Sequence, residues 1–114
     1  MRVFLDANII FLAVCSSTSP VHDLLALGRR GECDLLMSSY AYEEARRNLE
    51  AKGPPGWSTA LEHAIVDIGL VGEARRPALE LARQTALSDP ADVPILAAAI
   101  ECRADILVTG DRRA

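Results

Sequence analysis

Seven polar side chains in this sequence are of types that could do chemistry together: Asp6 and Asn8 near the start, Glu43 and Glu44 in the middle, Asp89 and Asp92 flanking a proline, and Asp111 near the end. Carboxylates that converge cannot stay bare. Two of them about 4 Å apart repel by roughly 1 kcal/mol in water and about 4 kcal/mol at an effective dielectric of 20. A group of this kind raises its pKa values, fills with water, or takes up a cation. Oxygen-only ligands select hard ions, Mg²⁺ or Mn²⁺, and with neither Cys nor His in the set Zn²⁺ fits less well.

Each acid also has an ordinary use. Asp6 could cap the helix that follows it, and Asp111 could be a turn residue in a Thr-Gly-Asp bend. Asp92 could complement a helix dipole, and either Asp89 or Asp92 could open the helix around Pro90 and Pro94. Glu43 and Glu44 stand about 100° apart around a helix axis, so only one can point inward. Glu44 has Arg47 and Asn48 at i+3 and i+4, which would suit a surface pair.

The elements that must position these acids alternate. Val3-Phe4-Leu5 reads as a buried strand ending at Asp6, and residues 9–15 as the helix after it. A second helix runs from Pro20 to Gly28 or Gly31. Residues 34–37 form the second strand, and Ser39 is the expected N-cap of a helix from Tyr40 to about Ala51, closed by Gly53-Pro54-Pro55-Gly56. Ser58 or Thr59 opens the next helix, residues 66–71 form a third strand, and a helix runs through 77–87. A last helix spans about 92–103 and leads into Ile106-Leu107-Val108. Short apolar strands separated by helices imply a parallel sheet covered on both faces, with ligands at the carboxyl ends of the strands. Asp6 and Asp111 both fall at that rim.

One hundred and fourteen residues, half of them apolar, fit a single domain over 1–114 and exclude an eight-stranded α/β barrel. The formal charge of −4 argues against gripping nucleic acid by bulk positive charge, and five aromatics are too few for a stacking platform. Eleven of the twelve cations are Arg, eight of them in doublets, including Arg112-Arg113 beside Asp111. Cys15, Cys33 and Cys102 form neither a disulfide framework nor a zinc pattern and read as buried thiols of a cytoplasmic protein. No apolar run reaches the ~18 residues of a membrane span, and Asp6 and Asn8 interrupt the one stretch that imitates a secretory signal.

Asp6-x-Asn8, then Glu44 within Ser38-Ser39-Tyr40-Ala41-Tyr42-Glu43-Glu44-Ala45-Arg46-Arg47-Asn48-Leu49, then Asp92 before Val93-Pro94-Ile95-Leu96-Ala97-Ala98-Ala99, then Thr109-Gly110-Asp111 resembles the PIN-domain nucleases over essentially the whole chain. Each motif is weak alone; four in this order, each at a strand or helix terminus, are specific. The match favours Glu44 over Glu43. It implies a three-layer α/β/α sandwich around a parallel sheet of about four strands, with Asp6, Glu44, Asp92 and Asp111 converging on Mg²⁺ or Mn²⁺, and with Asn8 and Thr109 orienting the site through hydrogen bonds. It also implies hydrolysis of RNA phosphodiesters by water activated at the metal, and a toxin of VapC type inhibited by an antitoxin protein. Arg112 and Arg113 are the arginines best placed by sequence to meet the RNA.

Family members run on through a further helix or turn and a final strand, so the resemblance is to a domain without its last segment. An uncovered fourth strand would leave backbone groups unpaired, and a second protomer would cover them, which makes a homodimer the expected state. The rival within the same fold is a non-catalytic binder of RNA or antitoxin. A response-regulator receiver would need a paired acid after the first strand and a Lys after a late one, yet Lys52, the only Lys, sits by a Gly-Pro turn. An Asp-x-Asp phosphatase fails because position 8 is Asn.

Overall fold

The structure, a computed structural model, describes residues 1–72, 75–85 and 93–108. Its elements are β1 (Arg2–Leu5), α1 (Ala7–Cys15), α2 (Val21–Arg29), β2 (Asp34–Ser38), α3 (Ser39–Lys52), α4 (Trp57–Ile65), β3 (Ile68–Val71), α5 (Arg76–Thr85), α6 (Val93–Glu101) and β4 (Ile106–Val108). The strands form one parallel sheet in the order β3-β2-β1-β4. The expected α/β fold is present. Helices α1 to α4 pack on one another as one layer, and α5 with α6 as the other.

The inner strands β1 and β2 are the buried ones, while β3 and β4 at the edges are largely exposed. Val3, Phe4 and Leu5 of β1 and Leu35 and Met37 of β2 are buried, and Ile10 of α1 and Leu49 of α3 close the same core. Small residues set the second helical layer: Ala78 and Ala82 of α5 meet Ala97 of α6, which lets the two helices approach closely.

Gly28 shows how tightly α2 lies on the sheet. A Cβ at this position would stand 2.4 Å from Leu35 Cδ1 and 2.7 Å from its Cγ, so the buried Leu35 side chain would have to shift. Ala gains about 1 kcal/mol over Gly in a helix interior, whereas overpacking costs about 1–3 kcal/mol. Gly28→Ala is therefore expected to lower the urea midpoint at unchanged m-value. A raised midpoint would mean that α2 can lift off the sheet.

Four expectations need correction. Helix α1 begins at Ala7, not at residue 9, because Asp6 caps it. Helix α3 is capped by Ser38, not Ser39: Ser38 keeps extended backbone at the end of β2, and its Oγ accepts from Ala41 N at 3.0 Å. Strand β3 begins at Ile68 rather than at residue 66, since Val66 still has helical backbone as the C-cap of α4 and stands 74% exposed. The three thiols are not buried in the core: Cys15 is exposed, and Cys33 and Cys102 are half-buried. Partial burial still pushes the Cys102 thiol up, which makes it a poor nucleophile.

Candidate active site

Because the strands are parallel, their carboxyl ends share one rim, and the chain turns into a helix there after β1 and after β2. The strand order makes one point of that rim special. From β1 the chain steps outward to β2 and β3, then returns to β4 on the other side of β1. Such a reversal leaves a crevice at the carboxyl ends of the two strands from which the chain departs in opposite directions, where open α/β sheets bind ligands. Here it lies between β1 and β4, and Asp6 stands in it, its backbone N–H donating to Val108 O at 3.2 Å.

Asp6 and Ser38 are the two buried polar side chains among the described residues, 9% and 2% exposed. They hold equivalent positions, each capping the helix that leaves a central strand. The Asp6 carboxylate accepts from Ile9 N at 3.2 Å through Oδ1, and Ser38 does the same for Ala41. Setting the two caps side by side separates capping from chemistry. A hydroxyl suffices for the cap after β2, so the charge at Asp6 is more than capping requires. A buried carboxylate is costly unless it is paired. Oδ1 is the oxygen that takes the capping bond, so Oδ2 is the one on offer to a ligand.

Helix α3 starts from the same rim and carries the two middle acids. Ala41, Ala45 and Leu49 face the core. Glu43 lies on the outer side, where its Oε2 accepts from Arg46 Nη2 at 3.0 Å and Nε at 3.1 Å, while Arg46 Nη1 reaches Glu50 at 3.3 Å. The bond to Glu43 holds the Arg46 guanidinium above its ordinary pKa. Glu43 is thus committed to a surface network. Glu44 is half-buried on the other flank, about 100° away. Asn8 is exposed in the first turn of α1.

Helix α6 ends at the opposite, amino edge of the sheet, where Arg2 Nη1 donates to Cys102 O at 2.8 Å. Its Val93 end therefore points toward the rim. Strand β4 also delivers the chain to the rim, at Val108. Asp92, Thr109, Asp111, Arg112 and Arg113 lie outside the described residues, as does Asp89. Among the described residues no three His, Cys, Asp or Glu side chains form a group that could hold a metal ion. Of the expected cage, only Asp6 and Glu44 are described.

The element that sequence reasoning missed is Ser38. Two serines in succession precede the helix, and spacing alone does not say which of them ends the strand. Ser39 does something else, since its hydroxyl donates to Val71 O at 3.1 Å and ties the start of α3 to the end of β3.

A family model described as PIN domain matches residues 2–113. Among solved structures, that of VapBC2 from Rickettsia felis bound to a DNA fragment from its promoter superposes with a TM-score of 0.72 at 13% identity, covering 97% of this chain and 100% of that one. VapC20 of Mycobacterium tuberculosis, a sarcin-ricin loop cleaving toxin, gives a TM-score of 0.62 at 12% identity, covering 97% and 91%. Identities this low speak for the fold. No curated protein matches the sequence.

Proposed function

The chain belongs to the PIN-domain family, and on that premise we propose that it is a divalent-metal-dependent ribonuclease, the toxin of a toxin-antitoxin pair. The observation that carries this reading is the buried carboxylate of Asp6 at the reversal point of the sheet, charged beyond what capping needs. The precedent for a cleaving toxin is VapC20, a sarcin-ricin loop cleaving toxin of the same fold.

In this reading Asp6, Glu44, Asp92 and Asp111 hold Mg²⁺ or Mn²⁺. Asp6 and Glu44 offer only oxygen, which suits a hard cation. When bound, the ion supplies Lewis-acid polarisation of the phosphoryl group and a water acidic enough to attack at neutral pH. The protein's own side chains do the remainder. Ile9 N–H fixes the Asp6 carboxylate through Oδ1 and leaves Oδ2 for ligation. Asn8 and Thr109 orient the site by hydrogen bonds. Asp92 or Asp111 takes the proton of the attacking water as general base, and Arg112 and Arg113 hold the RNA backbone.

The reading extends to assembly. Ile106 and Leu107 on β4 are 45% and 38% exposed, and among the described residues β4 pairs only with β1. A second copy of the chain covers this strand in the proposed homodimer. No helix among the described residues is long and apolar enough to cross a membrane, and in this reading the protein acts on RNA in the cytoplasm.

The test is cleavage of a mixed RNA substrate with Mg²⁺ or Mn²⁺, repeated with chelator. Cleavage is expected with either ion, to fall to background with chelator, and to return when the ion is restored. Activity that survives chelation would overturn the metal assignment. Absence of cleavage with RNA still bound would favour a non-catalytic binder.

A further inference from the structure

The caps of α1 and α3 stand side by side. Asp6 and Ser38 both keep extended backbone, so the register that pairs Phe4 with Leu36 runs on for two residues and sets Asp6 beside Ser38. Neighbouring strands are about 4.8 Å apart. Helices α1 and α3 leave the rim from these two positions and pack against each other in one layer. Their amino ends therefore share one small area of the rim.

The two ends differ in charge. A helix amino end carries about half a positive charge. At α1 the Asp6 carboxylate answers it, whereas at α3 the cap is a neutral hydroxyl and the first turn holds no acidic residue. Of the two acids in the second turn, Glu43 is taken by Arg46. An uncompensated amino end attracts an anion. The second observation is the cap itself. Ser38 is 2% exposed, and its Oγ accepts from Ala41 N at 3.0 Å, so the proton of this buried hydroxyl is the part on offer to a ligand. An anionic oxygen over the end of α3 would take that proton.

We propose that Ser38 and the amino end of α3 form the seat for a non-bridging oxygen of an RNA phosphate lying beside Asp6. The Ser38 hydroxyl donates to that oxygen, and the helix end balances its charge. The proposal rests on the ribonuclease reading and deepens it, because it names where the substrate phosphate meets the protein without an arginine. It also gives two serines in succession separate duties: Ser39 ties α3 to β3 through Val71 O, and Ser38 faces the substrate. A helix end that no acid neutralises lets an acidic chain hold a polyanion at one point of its rim.

The test uses the full chain carrying Asp6→Asn, so that bound RNA is not cut, and a short fluorescein-labelled single-stranded oligoribonucleotide read by anisotropy in Mg²⁺ buffer. Ser38→Ala should weaken binding about tenfold, the effect of losing one hydrogen bond to an anion. Ser38→Thr keeps a hydroxyl and a cap and should bind as the parent does. Ser38→Asn and Ser38→Asp match in size and both cap, so they isolate charge. Asp should bind at least tenfold more weakly than Asn, because it sets a carboxylate against the phosphate. Ser39→Ala should leave affinity unchanged. Melting curves accompany each variant, and if the larger Asn and Asp fail to fold, the Ala and Thr pair decides. A Ser38 that only caps would lose melting temperature in Ala with affinity unchanged. That result, or equal affinities for Asn and Asp, would overturn the seat while the ribonuclease reading survives. A parent that binds no RNA would overturn both.

Discussion

Asp6→Asn is expected to abolish RNA cleavage while leaving the fold as stable as before. The two halves of that result come from different oxygens. Oδ1 caps α1 through Ile9 N, and the amide oxygen of Asn accepts the same bond; Asn and Asp are comparable caps. Oδ2 becomes an NH₂ group, which cannot ligate a cation and removes one negative charge from the site. The loss should be roughly a hundredfold or more in rate, equivalent to ~3 kcal/mol of transition-state stabilisation. Asp6→Ala should lose the same activity and in addition about 1 kcal/mol of stability with the cap. Parallel thermal melts and cleavage assays separate the two. Retained cleavage in Asp6→Asn would remove Asp6 from the metal site. A large drop in melting temperature for Asn, matching that for Ala, would make Asp6 a structural acid and nothing more.

The position of Asp6 was readable because it depends on one boundary. A three-residue apolar run followed by a helical pattern puts the next residue at a carboxyl end whatever the rest of the chain does, and Phe4 and Leu5 are indeed fully buried before it. The same reasoning found β2 and β4, whose apolar runs are equally short. It failed where two neighbours carry the same signal. Ser38 and Ser39 are chemically alike, and only the backbone at Ser38, still extended, decides which one caps. Val66 is β-branched and precedes Asp67-Ile68, so it reads as strand, yet α4 runs on to Ile65 and Val66 ends as its exposed cap. Local preference lost there to the length of a helix set by tertiary packing. The strand order was not legible at all, because which strands pair is decided by how the helices fold back over the sheet. That order places the reversal point beside Asp6.

Glu43 and Glu44 pose the sharpest discrimination, since they are adjacent, of one residue type, and equally close to the rim in sequence. Glu44→Gln is expected to lower RNA cleavage roughly a hundredfold, the effect of losing one anionic metal ligand. Glu43→Gln is expected to leave it within experimental error. The structure supplies the reason for the asymmetry. Glu43 sits on the outer flank in a network with Arg46 and Glu50, where water and salt screen the pairing, so its removal should also leave the melting temperature nearly unchanged. Glu44 is half-buried on the flank that starts at the crevice, and Gln preserves its shape while removing the charge. Metal titration by calorimetry gives a second readout: Mg²⁺ or Mn²⁺ affinity should fall in Glu44→Gln and hold in Glu43→Gln. A reversed pattern, with Glu43→Gln inactive and Glu44→Gln active, would require α3 to be rotated by about 100° from the phase described. Such a rotation would turn Ala41, Ala45 and Leu49 out of the core that they now fill, so the phase of the helix and the identity of the acid stand or fall together.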